Sequence, residues 1–475
     1  MNRTRLHKRC ATKHENNPSY STQQSQIVWR SIVDLFPAAN NSRLHPTRQI
    51  HDLARSIGRF GMSSPIVIDE RSRILIGHGR FEAAIKLGWT RVPTVMRSDL
   101  SEPDKTAFMI ADNRIAERAS WDFDVLSREF KSLIELEYNL EATGFTTGEV
   151  DILLEGQAQT PSSDPVDLID PTLFAEKPVS RRGDLWRVGR HTLLCGDALS
   201  EDDYRQLMPA EAADLVVTDP PYNVKIMGHA RGRGKRHREF VMASGEMSDS
   251  EFERFLRAMT ERLVAASVDG SIHYIFMDWR HLPSLLRSCA SLYSEWKQLL
   301  VWNKSNAGQG SFYRSKHELI AVFKNGEKPH VNNFGLGTEG RYRANVLDYP
   351  GGSSLDPRQR ELQDLHPTVK PVALIADLIR DCSRRNGIVL DPFAGSGTIL
   401  LAAERTGRVA RAMEIDPQYV DVAVRRWELL TGKSATLVGD GRTFAEIESS
   451  RQVSISSLPP NPAQDRTPSR RRSKR

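Results

Sequence analysis

Asp219-Pro220-Pro221-Tyr222 follows directly on Leu215-Val216-Val217-Thr218, an apolar, β-branched run that reads as a short buried strand. In an open α/β sheet the carboxyl end of such a strand faces the ligand crevice. Two prolines fix two φ angles and remove two N–H donors, so the chain leaves the strand stiffly and Pro220 presents only a carbonyl acceptor. The Asp219 carboxylate and the Pro220 carbonyl are then two fixed acceptors, suited to holding both hydrogens of an exocyclic amine while its lone pair is free to attack. On adenine or cytosine that amine is a poor nucleophile because its lone pair is delocalised into the ring. The base would have to leave the duplex, and Tyr222 offers a face on which it can stack. An ordinary Pro-Pro turn accounts for the same four residues equally well.

A second cluster is Asp391-Pro392-Phe393-Ala394-Gly395-Ser396-Gly397-Thr398, after the strand-like Ile388-Val389-Leu390 and before a helix from Ile399 to about Arg405. A further strand, Arg411 to Ile415, carries Glu414 near its end. Glycines at this place let backbone approach a ligand, and an acid closing the next strand can bind ribose hydroxyls, which points to a nucleoside-containing cofactor. Leu400 stands where a dinucleotide fingerprint has its third glycine, so the full G-x-G-x-x-G pattern is absent. A tight βα turn without a ligand is the competing reading.

The elements that must position these clusters alternate strand and helix, which predicts a parallel sheet covered on both faces. Its clearest strands are Leu215–Thr218, Ile272–Met277, Leu299–Trp302, Leu319–Phe323, Ile388–Leu390 and Arg411–Ile415. The earlier part of the chain reads as a separate domain. A helix over Gln49–Phe60 stops at Gly61, a hairpin pairs Pro65–Ile68 with Ile74–Ile76, and Val92–Met96 is a further strand before a mainly helical stretch. Gly77-His78-Gly79-Arg80 precedes a helix over Phe81–Leu87, placing backbone N–H groups and a guanidinium where a phosphate can bind. For His78 a structural hydrogen bond is as good a reading as catalysis. Polar, aperiodic stretches set the expected boundaries: a disordered basic start at 1–24, a first domain over 25–155, a linker at 156–180, a second domain over 181–448 and a disordered basic tail from 449.

Composition adds bounds rather than a function. The 475 residues are 39% hydrophobic and 27% charged, within the globular range, and no apolar run approaches the roughly 18–20 residues that span a bilayer. The net charge of +6 is concentrated at the two ends, so the stretch between them is acidic and bulk basicity says little about nucleic acid. Met1 to His14 carries five basic residues but no apolar core, so no secretory signal is expected. Four cysteines without a C-x-x-C pair argue against disulfide frameworks and zinc ribbons; no metal is expected, and a reducing cytoplasm fits. Lys225, Arg231, Arg233, Lys235, Arg236 and Arg238 follow the Pro-Pro turn with only Glu239 opposing them, a loop suited to closing on phosphates.

Together the two clusters resemble the amino-methyltransferases of DNA, in the group whose catalytic turn precedes the cofactor loop, here by about 170 residues. The resemblance covers about Arg181 to Gly439 and implies a Rossmann-like, doubly wound α/β sheet. It implies S-adenosylmethionine as cofactor, surrounded by Asp391, Phe393, Ala394, Gly395, Gly397 and Thr398, with Glu414 on the ribose. His366-Pro367-Thr368-Val369-Lys370-Pro371 resembles the segment that also lines the cofactor site, which implies a place there for Lys370. Cys195-Gly196-Asp197-Ala198 resembles a further element, in which Asp197, in preference to Asp440, approaches the adenine end. Residues 325–365 lie where the family reads its DNA target. The partner implied is double-stranded DNA, with a homodimer also compatible, and restriction-modification is the implied setting. Asp at position 219, where a serine is common in the cytosine enzymes, favours adenine N6 over cytosine N4. Carbon-5 methylation needs a Pro-Cys pair, which this sequence lacks.

The first domain, from Leu35 to about Leu133, resembles the small α+β ParB-like domain, related in fold to sulfiredoxin. Its glycine-arginine motif is Gly77 to Arg80, which implies a nucleotide there. The sulfiredoxin cysteine has no counterpart between Cys10 and Cys195, so reductase chemistry is disfavoured. A ParB-like DNA-binding or nucleotide-switch protein is the alternative of another class.

Overall fold

Ile50, Ala54 and Ile57 recur at helical spacing and form the buried face of α1 (Thr47–Phe60), which ends as Gly61 takes φ +77° and donates its N–H to Ile57 O. That helix belongs to the first of two units in the computed structural model, which divide between Thr146 and Thr147. The structure describes residues 26–155, 164–175, 177–224, 245–305, 312–334, 343–351 and 369–456. In the first unit β1 (Val28–Ser31), β2 (Phe36–Pro37), β3 (Ile66–Ile68), β4 (Arg73–Ile76) and β5 (Arg91–Met96) form one sheet in the order β1-β5-β3-β4-β2. The expected hairpin is β3 with β4. Helix α2 (His78–Lys86) begins three residues before the expected start because Gly77, at φ +99°, already turns the chain into it. Helices α3 (Glu102–Ala116) and α4 (Phe123–Glu135) complete the unit.

The second unit opens with α5 (Thr147–Glu155) and is built on a ten-stranded sheet. Its strands are β6 (Leu185–Val188), β7 (His191–Cys195), β8 (Ala213–Thr218), β9 (Ser267–Met277), β10 (Glu295–Asn303), β11 (His317–Lys324), β12 (Val346–Asp348), β13 (Ile388–Asp391), β14 (Val409–Glu414) and β15 (Thr436–Leu437). They lie in the order β12-β10-β11-β9-β8-β13-β14-β7-β6-β15. The centre, β9-β8-β13-β14-β7, is parallel, as is the outer pair β10-β12; β11 runs antiparallel to both β9 and β10, and β6 to both β7 and β15. The wholly parallel sheet expected from the sequence is therefore corrected to a mixed one. The flanks depart because β6 and β7 join through the two-residue turn Gly189-Arg190, with Gly189 at φ +61°, too short for a crossover.

Helices α6 (Glu201–Leu207), α7 (Asp249–Ala265) and α8 (Leu282–Cys289) pack one side of the sheet, with Phe252, Leu256 and Met259 in the core. On the other side lie α9 (Val372–Cys382), α10 (Thr398–Thr406), α11 (Pro417–Thr431) and α12 (Phe444–Ser456), around Trp186, Trp302 and Trp427. No helix among the described residues is long and apolar enough to cross a membrane.

Three expected boundaries move. Helix α5 packs with the second unit, where the buried Asp151 carboxylate meets Arg385 and Arg408 at 2.9 Å each. The stretch read as a linker is anchored from Asp164 onward: the Val179 and Ser180 N–H groups donate to Asp421, and the Val372 N–H to Asp167. At the other end α12 runs past Glu448 to Ser456, and Arg451 pairs with Asp184.

Arg408 is the buried cation that most needs its partner, since its side chain has no exposed surface. Removing the counter-charge leaves an uncompensated ion in the core, so Asp151→Ala should lower unfolding free energy by about 3 kcal/mol in urea titrations. Asp151→Leu combined with Arg408→Met should recover most of that loss; equal losses would assign the cost to packing rather than charge.

Candidate active site

Strands β8 and β13 are parallel neighbours at the point where the chain winds outward in both directions. Their carboxyl ends deliver Asp219 and Asp391 side by side, which is where open α/β sheets bind ligands. Thr218 Oγ1 donates to Asp391 Oδ1 at 2.8 Å, tying the two ends together, and the Phe393 N–H donates to the same oxygen at 3.1 Å. One cavity is lined on one side by Asp219, Pro220, Pro221 and Tyr222 and on the other by Asp391, Phe393, Ala394, Gly395, Thr398 and Glu414. Asp197, just beyond β7, lines it too, whereas Asp440 pairs with Arg442 and is not among the lining residues.

Gly397, expected around a cofactor, sits between the lining residues Ser396 and Thr398 and has a packing role of its own. It caps α10 at φ +82°, and a Cβ there would come within 2.6 Å of Ala423 Cβ, so this glycine serves helix packing. Gly395 is the opposite case. At φ +51° its α-carbon faces open space, and its N–H donates to Glu414 Oε2 at 2.9 Å. Glu414 Oε1 accepts from the Asp416 N–H at 2.8 Å. Each Glu414 oxygen thus keeps a lone pair for a further donor. Burial pushes the Glu414 carboxyl up to about 7, against those two N–H groups. Burial likewise pushes Asp391 up to about 7, against the hydrogen bonds from Thr218 and Phe393.

Around Asp219 the structure brings in side chains that the sequence reading placed elsewhere or missed. Tyr222 OH donates to Asp219 Oδ1, and Lys370 Nζ lies 2.5 Å from Oδ2. Lys370, expected at the cofactor site, lines this cavity and is held between Asp219 and Glu318, with Glu318 Oε2 at 3.2 Å. Its ammonium also sits over the Phe276 and Tyr222 rings, at 5.2 and 5.8 Å from their centres. Glu318 is in turn ion-paired to Lys304. Burial raises the Asp219 carboxyl above its ordinary value, while the Lys370 charge and the hydrogen bonds from Lys370 and Tyr222 pull the other way. Glu318 is held below its ordinary value despite burial, because it faces both Lys370 and Lys304. Glu318 lies just ahead of the expected strand Leu319–Phe323, and its pairing with Lys304 depends on the β10–β11 register.

Lys225, Arg231, Arg233, Lys235, Arg236 and Arg238 lie outside the described residues, as do His366 to Thr368 and much of the expected target-reading segment. In the first unit, His78 Nε2 accepts the Ala38 N–H at 3.2 Å in a buried setting, and burial lowers its pKa. It therefore stands as a neutral structural acceptor. Gly79 is hemmed by Leu53 and His45, at 3.0 and 3.1 Å from a would-be Cβ, and the half-buried Arg80 guanidinium lies beside Gly77.

A family profile described as DNA methylase matches residues 213–425, one for the ParB N-terminal domain matches 19–114, and one for the ParB-methyltransferase HTH domain matches 124–182. The DNA adenine methyltransferase YhdJ of Escherichia coli K12 is 30% identical over 266 residues, covering 51% of this chain and 85% of that protein. The chain belongs to the DNA methylase family. The methylase is also 26% identical over 260 residues to the type II methyltransferase M.ScaI of Streptomyces caespitosus, covering 49% and 80% of the two chains. Over 84 residues it is 39% identical to the ParB-like nuclease domain-containing protein YnaK of Escherichia coli K12, which is 18% of this chain and 97% of that one. Among solved structures, the M1.HpyAVI–SAM complex is similar at 21% identity and a TM-score of 0.35, over 48% of this chain and 92% of that one. The helix-turn-helix match has no counterpart in the sequence reading, which has a mainly helical stretch up to 155 and a linker over 156–180.

The two glycines of the methylase loop make separable demands. Gly397→Ala should cost roughly 2 kcal/mol or more, from φ strain plus the clash with α11, and lower the melting temperature. Gly395→Ala should cost only about 1 kcal/mol in the same melting experiment. Equal losses of melting temperature would count against the packing role of Gly397.

Proposed function

We propose that this methylase transfers the methyl group of S-adenosylmethionine to N6 of adenine in double-stranded DNA, with the target base flipped between Asp219 and Tyr222. The observation that carries this reading is the single cavity shared by the Asp219–Tyr222 turn and the Asp391–Glu414 cradle at the adjoining ends of β8 and β13. The cradle fits the cofactor. Gly395 leaves open space for a ligand beside its backbone, the two Glu414 oxygens have acceptor capacity for ribose hydroxyls, and Asp391 offers a buried carboxylate toward positive charge. When bound, the sulfonium supplies an electrophilic methyl group.

The rest is the work of the chain. Asp219 keeps a quarter of its side-chain surface exposed, so it is reachable from the cavity, and the Pro220 carbonyl stands next to it as the second acceptor. Two acceptors on one amine turn its lone pair out of conjugation and take up the positive charge that develops on nitrogen. Tyr222 supplies the stacking face, and Asp197 accepts at the adenine end of the cofactor. Adenine is favoured over cytosine by the aspartate at 219.

For the first unit we propose a nucleotide-phosphate site at Gly77–Arg80. Arg80 Nε is buried without a hydrogen-bond partner among the described residues, next to the start of α2. Titrating the full chain with nucleoside triphosphates tests this, with binding expected to weaken at least about tenfold in Arg80→Ala, a loss of about 1.4 kcal/mol; equal binding by both proteins would overturn it.

The enzymatic reading is tested by transfer of labelled methyl to DNA with nucleoside analysis of the product. N6-methyladenine is expected, and Asp219→Ala should lower kcat by on the order of 10²–10³. Full activity in that variant, or N4-methylcytosine as product, would overturn the assignment. Cofactor binding should also be pH-dependent. Asp391 and Glu414 lie near 7 in the free protein, and a cationic, hydroxyl-bearing ligand favours their ionised forms. Binding should therefore tighten as pH rises from 6 to 8 and release protons near pH 7, read by calorimetry in buffers of different ionisation heat; absence of proton release would remove these carboxylates from the site.

A further inference from the structure

The buried ion cluster behind the catalytic turn has more parts than a two-acceptor mechanism needs. Lys370, 6% exposed, is the only cation that an ion pair places on Asp219 among the described residues, and it is shared with Glu318 on β11. Lys304, from the end of β10, takes the other side of Glu318. The chain of charges therefore runs Lys304, Glu318, Lys370, Asp219, and ends at the Tyr222 hydroxyl. Asp219 also feels Asp391 from the end of β13, while Asp278, after β9, faces Tyr222. Lys370 is thus the cation positioned between Asp219 and Glu318.

We propose that Lys370 is a positioning residue for methyl transfer: it holds Asp219 as a charged, oriented acceptor for the target amine, with Glu318 as the anchor that fixes the ammonium. The inference rests on the methyl-transfer reading above but concerns the acceptor rather than the cofactor. A protonated Asp219 would retain only part of its acceptor capacity and would present a donor to an amine that needs acceptors. Burial drives it toward that state. A neighbouring ammonium opposes this by about 1–3 pH units. Glu318 competes for the same ammonium, and Lys304 limits that competition by pairing with Glu318 from the far side. Because one Asp219 oxygen faces Lys370 and the other Tyr222, the carboxylate is held at both ends. Its plane is fixed before any base arrives, so little ordering remains to be done on binding.

The test reads Asp219 directly, through the carboxyl ¹³C resonance of selectively labelled aspartate, assigned by its disappearance in Asp219→Asn. In Lys370→Met the titration midpoint should rise by about one pH unit or more, and the acid limb of single-turnover methyl transfer should move with it. Activity should then recover as pH is raised, and S-adenosylmethionine affinity should stay within about threefold. Glu318→Gln should move the midpoint the other way, since Lys370 then serves Asp219 alone; this arm decides the matter should Lys370→Met not fold. An unchanged Asp219 midpoint in the folded variants, or a pH-independent loss of activity that tracks lost cofactor affinity, would overturn the proposal. Absence of methyl transfer by the wild-type protein would remove the proposed reaction while leaving the Asp219 midpoint to decide the role of Lys370.

Discussion

The parallel pairing of β8 with β13 is the constraint on which the rest of the second unit depends. These strands lie far apart in sequence, yet Val389 and Leu390 register with Leu215 and Val216. The hydrogen bond from Thr218 to Asp391 locks their carboxyl ends at one height. Without that register the Asp219–Tyr222 turn and the glycine loop would be two unrelated turns. With it, the Asp219–Tyr222 turn and the Asp391–Glu414 segment line the same cavity. The order of the motifs along the chain is immaterial to this geometry, because a parallel sheet constrains neighbours in space and leaves the connections free.

The local chemistry was legible in the sequence because it depends on residue types that do one thing well. Prolines stiffen a strand exit, glycines open backbone to a ligand, and an acid closes the following strand. Asp219 to Tyr222, Asp391 to Gly395 and Glu414 all stand where strand and loop patterning put them. Partnerships between distant residues were less readable. Lys370 was placed by its motif, but its partner depends on where β11 runs, and β11 enters the sheet antiparallel beside β9. Nothing local in the sequence signals that Glu318 and Lys304 pair with each other.

Gly397 shows the limit of motif reading in another way. Its presence in the loop was legible, but its reason was not, since the clash that demands it comes from Ala423 on a helix formed later in the chain. The mixed sheet has a similar cause. Apolar alternation identifies a strand without giving its direction, and the direction of β6 relative to β7 is set by Gly189-Arg190, a short turn signal that period-counting passes over. Boundaries are the least legible feature, because a polar stretch can be ordered by contacts with distant residues. The segment around Asp164 to Ser180 is polar and still tied down by the half-buried Asp167 and the buried Asp421 carboxylates.

The Asp151–Arg408 pair has a consequence for how such a two-part chain can be assembled by exchange of gene segments. The compositional break after Glu155 looks like the natural seam at which one N-terminal module could be traded for another. A crossover there would bring in a foreign α5 and strand Arg408 in a core built around a missing anion. Only junctions upstream of Thr147 leave that charge balance intact. Viable recombinants should therefore carry the last helix before the polar stretch together with the catalytic half, as a single heritable block.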